Sequence, residues 1–356
     1  MRTAQGLRVP TSIRTYKNKS RDFLWLLLLL TISLLSTLAL AQDTIVLVGS
    51  GSSVPLPLYR RFADEFNKLT PRFQMNYIAL GTNEGLKETS RGASDFGAGE
   101  VEISTTGVGD ASIIELPAVV IGIVPIYNVP GVKQELNFSG ELLADIFLGR
   151  VKTWNAPEII RLNPDVTFPN LPIKVVHRPA GKGSNYIFTE FLSKTSSRFR
   201  SQIGRSSSPN WPVGINAERS SDMADKVKSD PGSIGYVEQQ YAVQTNILYG
   251  RVLNPAGKFV KATPETLAAA CRAVEAPGWD SFKASLTNAP GADSFPITSF
   301  SWLYLRTNLT VPRRAALANL LTWMYSSGQT LAKQAGYAEL PSPLLNIVKS
   351  KANSLW

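Results

Sequence analysis

The chain has 356 residues with 44% hydrophobic content, enough for a large buried core in two domains or one large one, and it excludes a mainly disordered polypeptide. Its formal charge of +10 is unevenly spread: Arg2, Arg8, Arg14, Lys17, Lys19 and Arg21 against Asp22 put half of it in the first 41 residues. No later basic run interleaves with aromatics, so nucleic acid is disfavoured as a partner, and one histidine and one cysteine leave no basis for a zinc cluster or an internal disulfide.

In chain order, residues 1–41 read as an export signal: a basic segment ending at Arg21-Asp22, an apolar run over 23–40, and a small-x-small site at Ala39-Leu40-Ala41. Cleavage is expected after Ala41. The alternative is an uncleaved anchor, because the apolar run approaches spanning length. Residues 44–48 then read as a buried strand, followed by the Gly/Ser loop of Gly49, Ser50, Gly51, Ser52, Ser53 and Val54, and a helix placing Leu58, Phe62, Phe66 and Leu69 on one stripe. The loop lacks the Gly-Lys-Ser/Thr ending of a Walker loop and the third glycine of a dinucleotide fingerprint. A second strand over 73–80 leads to a Gly81–Gly85 turn and a helix over 86–91. A third strand-and-turn segment ends in the acid Glu100.

Further elements are expected as a buried strand at 119–126, a helix at 141–148, strands at 173–176, 234–237 and 297–305, and a long helix at 315–333 interrupted at Ser326-Ser327-Gly328. Cys271 falls in an apparent helix as a small core filler. The alternation makes the fold class α/β, with ligands expected at strand C-terminal ends.

The most informative stretch is His177 to Asn185, where a strand delivers Arg178 to a Gly-rich turn that opens into a helix. Free N–H groups at a helix start carry partial positive charge, Gly181 and Gly183 permit close backbone approach, Ser184 adds a hydroxyl, and Arg178 offers a fork for two oxygens of one oxoanion. The plainer reading is a helix capped by Ser184 beside a surface arginine.

The ordered motifs Gly49-Ser-Gly-Ser-Ser-Val-Pro-Leu-Pro, Asp95-Phe-Gly-Ala, Ile146-Phe-Leu-Gly-Arg-Val-Lys-Thr-Trp-Asn, His177-Arg178, Trp211-Pro-Val-Gly, Pro231-Gly-Ser-Ile-Gly-Tyr-Val-Glu and Pro296-Ile-Thr-Ser give the chain a resemblance over nearly all of 44–345. It resembles the periplasmic phosphate-binding protein of the phosphate ABC transporter, a type II periplasmic binding protein. That resemblance implies a two-lobed receptor, one lobe from 43–123 plus 298–356 and the other from 124–297, clamping inorganic phosphate for delivery to inner-membrane permease subunits. It implies a periplasmic, monomeric, non-enzymatic protein without cofactor or metal. It assigns the ligand to Ser53, Val54, Thr82, Glu100, Arg178, Lys182, Gly183 and Ser184. In this reading the N–H groups of Val54 and Gly183 donate to the anion, and Glu100 accepts the proton that hydrogen phosphate carries and sulfate lacks.

The sequence departs from the family at this same site: glutamate for aspartate at Glu100, Ala180 for the acid usually paired with the arginine, and Lys182 for a serine. Glu84 and residues 216–219 also differ. Lys182 either contacts the anion or pairs with Glu84 or Glu100 across the cleft, while His177 is expected to pack at a strand end. The departures leave open a receptor or sensor for another oxyanion, such as arsenate or a phosphorylated metabolite. A phosphate-ester hydrolase would need a nucleophile with a base beside it, which the cradle does not display.

Overall fold

The computed structural model describes residues 44–103, 112–274 and 284–355; the expected export leader lies outside the described residues. The first half of the fold repeats one unit, a strand whose C-terminal turn opens directly into a helix. β1 (Ile45–Gly51) leads to α1 (Leu56–Leu69), β2 (Phe73–Ala79) to α2 (Thr82–Ser90), and β3 (Phe96–Gly99) follows. Leu58, Phe62 and Phe66 are fully buried as the stripe requires, whereas Leu69 is 65% exposed and Tyr59 takes part in the core instead. Leu69 closes the last turn of α1, beyond the reach of the sheet.

β4 (Ile113–Tyr127) is longer than the 119–126 run that hydropathy marks. It is followed by β5 (Asn137–Phe138), α3 (Gly140–Phe147), α4 (Pro157–Leu162), β6 (Lys174–His177), α5 (Gly183–Thr195), α6 (Ser197–Gln202), β7 (Ile215–Asn216) and α7 (Ser220–Ser229). Then come β8 (Ser233–Glu238), α8 (Gln239–Gln244), β9 (Arg251–Leu253), β10 (Phe259–Val260) and α9 (Pro264–Ala273). β11 (Thr298–Arg306), α10 (Val311–Met324), α11 (Ser327–Gln334) and α12 (Ser342–Asn353) complete the described elements. The expected break of the 315–333 helix falls between α10 and α11.

The class is mixed α/β with two sheets. The main sheet has eight strands in the order β2-β1-β3-β11-β4-β8-β6-β7, and β10-β9-β5 form a second. β2, β1 and β3 run parallel, so their C-terminal turns share one edge. β11 then runs antiparallel to both β3 and β4. The long strand β4 changes partners midway: it pairs with β11 through Gly122 and with β8 from Ile123 onward. Its residues 116–127 are buried, as expected for a strand covered on both faces. Cys271 is buried in α9, and burial pushes its thiol up to about 12. Among the described residues, no helix is long and apolar enough to cross a membrane.

Candidate functional site

Four helices begin at one place. α1 starts just after Ser53 and Val54, α2 starts on Thr82, α5 on Gly183 and α7 on Ser220; the first three have no side-chain cap, whereas at α7 Asp222 accepts from the Arg219 N–H at 3.1 Å. The N-cap of α5 is Lys182, not Ser184, whose hydroxyl turns to Arg178 instead. Side chains cap α3 (Ser139), α6 (Ser196) and α9 (Thr263), but α4, α8, α10, α11 and α12 also lack such a cap, so it is the convergence of the four starts that sets the place apart. Each helix start contributes roughly half a positive charge, so their convergence favours an anion at the junction.

At its centre lies Arg178, only 2% exposed. Its guanidinium donates to Ser53 Oγ at 3.2 Å, Ser184 Oγ at 3.4 Å, Ser220 Oγ at 3.1 Å and the Glu218 carbonyl at 2.8 Å. Ser53 and Ser220 also share a bond of 3.1 Å. The expected Ser53, Arg178 and Ser184 are thus brought together from segments distant in sequence, and Ser220 joins them unannounced.

The turn that carries Arg178 is fixed from behind. Its N–H donates to the Tyr236 hydroxyl at 3.1 Å, and that hydroxyl donates to Asn185 Oδ1. Asn185 Nδ2 in turn holds the Pro179 carbonyl at 2.7 Å. Gly181 has φ +82°, a left-handed conformation that a residue with a Cβ adopts only at a cost. The Ser53 loop is held in the same manner. Tyr77, Tyr241 and Tyr337 donate hydroxyls to the carbonyls of Ser52, Ser53 and Val54 at 2.8, 3.2 and 3.4 Å. The Val54 N–H, expected to face the ligand, donates here to Ser52 Oγ at 3.1 Å.

Thr82 and Glu100 form the opposite wall. Thr82 donates to Glu100 Oε2 at 3.0 Å, and a Cβ built on Gly183 would stand 1.9 Å from that oxygen and 2.7 Å from Thr82 Oγ1. The start of α5 therefore lies directly against the acid, as the expected set requires. Glu100 is 1% exposed and its Oε1 has no hydrogen-bond partner among the described residues. Burial pushes its pKa up to about 8, opposed by the Ser52 hydroxyl, assisted by the neighbouring Glu238, and opposed again by Thr82 and Arg178.

Lys182 does not reach Glu84 or Glu100: its ammonium pairs with Glu218, while Glu84 pairs with Lys87 at 3.4 Å. His177 stacks near Trp211, ring centroids 5.7 Å apart, and burial lowers its pKa, in keeping with a packing role. No group of three acidic, histidine or cysteine side chains able to hold a metal occurs among the described residues. Sequence reasoning missed Ser220 and Glu238. Ser220 directly follows the atypical segment 216–219, and Glu238 closes a motif that was noticed without a role being attached to it.

Comparison with known proteins gives a consistent pattern. A family model described as a PBP superfamily domain matches residues 39–327. The chain is 34% identical over 319 residues to the phosphate-binding protein PstS of Haemophilus influenzae, covering 89% of this chain and 95% of that one. Against PstS of Methanocaldococcus jannaschii it is 29% identical over 339 residues, covering 88% and 87%. Among solved structures, it superposes with TM-score 0.67 on a high-affinity periplasmic phosphate-binding protein, PfluDING, bound with phosphate, at 16% identity and covering 86% and 93%. A phosphate-binding protein from Stenotrophomonas maltophilia gives TM-score 0.63 at 15% identity with the same coverage.

Proposed function

The chain belongs to the PstS-type phosphate-binding proteins of the PBP superfamily, and on that premise we propose that the junction around Arg178 captures inorganic phosphate for a phosphate ABC transporter. It is a binding receptor and not an enzyme. The single observation that carries the placement of the site is a fully buried guanidinium drawing in hydroxyls from three separate turns, at Ser53, Ser184 and Ser220. An oxoanion can accept from all of these donors at once, and a charge-assisted bond from arginine is among the strongest available.

In this reading Ser53, Thr82, Ser184 and Ser220 donate hydroxyls, Gly183 donates its N–H, Arg178 donates twice, and Glu100 accepts the proton of hydrogen phosphate. Lys182, paired with Glu218, shapes the rim. The receptor works in the periplasm and hands its cargo to membrane-embedded permease subunits. Two lobes, 43–123 with 298–356 and 124–297, close over the ligand. The change of partners along β4 at Gly122 and Ile123, and the start of β11 at Thr298, support that division.

The test is equilibrium dialysis of phosphate against Arg178→Ala. Loss of the buried charged donor should weaken binding by about 3 kcal/mol or more, roughly a hundredfold. Undiminished affinity would remove Arg178 from the site, and stronger binding of arsenate than of phosphate by the parent chain would redirect the reading to another oxyanion.

A further inference from the structure

Among the described residues the Arg178 guanidinium donates only to hydroxyls and a carbonyl, and the position two residues on, where the resemblance leads one to expect an acid, is Ala180. A buried cation without a countercharge is costly. The carboxylate that could serve is Glu238, which is 0% exposed and has no hydrogen-bond partner for either oxygen among the described residues. It ends β8 on the same face as Tyr236, since side chains alternate along a strand, and Tyr236 accepts the Arg178 N–H. Three residues further on, Tyr241 donates to the Ser53 carbonyl. Glu238 therefore lies between two residues, Tyr236 on its own strand and Tyr241 on the following helix, that hold segments of the anion site.

We propose that Glu238 is a second acid of the anion site, the countercharge of Arg178 and, with Glu100, a determinant of which protonation states of an oxoanion the site accepts.

The proposal rests on the phosphate reading and deepens it. With both acids ionised, one guanidinium would face two carboxylates and a doubly charged ligand. Four helix starts of roughly half a charge each do not balance that excess. One acid must therefore hold a proton when a dianion binds, so binding draws a proton from solution. The groups facing Glu238 are Arg178 after β6, Glu100 after β3, Tyr236 on β8, Tyr241 on α8 and Tyr337 before α12. Burial raises the pKa of Glu238 against the pull of Arg178 and the nearby Ser220 hydroxyl, and the three tyrosines, all held above their ordinary value, stay neutral.

The experiment is calorimetric titration of the purified chain with inorganic phosphate, and separately with sulfate, at about pH 6 and about pH 9 in buffers of different ionisation enthalpy, which counts the protons taken up. The parent chain should take up a proton on binding phosphate at the higher pH. Glu238→Gln should take up less, bind sulfate at least about tenfold more tightly, and lose the decline of phosphate affinity at high pH. Glu100→Gln should likewise take up less, because with either acid removed the guanidinium and the helix starts balance one carboxylate and the dianion. Identical proton counts and sulfate rejection in Glu238→Gln and the parent would overturn the proposal, as would an absence of proton uptake by the parent at the higher pH if the glutamine at 238 prevents folding. No heat with phosphate from the parent chain at either pH would instead overturn the phosphate reading on which it rests.

Discussion

Glu100 shows how one side chain ties ligand chemistry to stability. Its pKa in the folded chain is pushed up to about 8 by burial, above the ordinary carboxylate value near 4.5. Between these values the folded chain holds a proton that the unfolded chain has released, so stability falls as pH rises through that window and levels off above about 8. Glu100→Gln removes this share of the dependence. In urea unfolding without phosphate, the variant should gain roughly 2–4 kcal/mol relative to its parent between about pH 5 and about pH 9; parallel curves for the two proteins would show that Glu100 ionises freely in the folded state. Arg178, Ser53, Ser184 and Glu100 were legible in the sequence because each sits in a glycine-containing turn next to a strand. Ser220 and Glu238 were not, because their relation to Arg178 arises from long-range assembly. β6 and β8 pair in parallel, Lys174 with Ser233 and Val175 with Ile234, and that pairing carries both strand ends to the same edge of the sheet. The Val54 N–H donates to the Ser52 hydroxyl at 3.1 Å.

Helix starts, unlike helix bodies, are set by what the backbone must approach. The 3.6-residue periodicity found α1 and the break between α10 and α11. It placed the start of α2 at 86, because Gly85 looked like part of a turn. In the structure α2 begins at Thr82 and Gly85 lies inside it, where a Cβ would fall 2.2 Å from Gly51 Cα. This glycine serves close packing of helix on strand, and a sequence displays both uses of glycine alike. Gly183 is the same case at the ligand. A methyl group there would meet Glu100 Oε2 and Thr82 Oγ1, so Gly183→Ala must either displace the start of α5 or drive Thr82 and Glu100 apart. Overpacking of this kind costs about 1–3 kcal/mol, against the modest gain from replacing glycine in a helix. The variant should unfold at lower denaturant and bind phosphate about tenfold more weakly or worse, whereas Gly131→Ala, whose added Cβ meets nothing within 4 Å but whose φ of +84° makes it cost stability, should leave binding intact. Equal phosphate affinity for Gly183→Ala and its parent would mean that the ligand does not approach α5.

Across the molecule, the parallel trio of strands and the strands beyond β4 meet mainly at the site. Arg178 bonds Ser53, the Asn83 N–H donates to the Gly181 carbonyl at 3.3 Å, Gln240 Nε2 donates to the Gly336 carbonyl at 2.6 Å, and Tyr241 reaches the Ser53 carbonyl. Each bond joins residues on opposite sides of the proposed lobe boundary, so each can exist only when the lobes are together. The alternation of strands and helices made the α/β class readable, but not these crossing bonds, because they join residues far apart in sequence. If closure is an equilibrium biased by ligand, removing one of these bonds lowers the closed population without harming either core. Tyr241 is the cleanest choice: its ring packs in the core while its hydroxyl makes the crossing bond. Tyr241→Phe removes about 1 kcal/mol of crossing interaction, which should weaken phosphate binding by roughly three- to tenfold and shift the ligand-free radius of gyration in X-ray scattering toward the larger, open value. Because saturating phosphate repays the loss, the loaded variant should scatter like the loaded parent. A variant with parental affinity and an unchanged ligand-free radius would show that the halves are locked together independently of ligand.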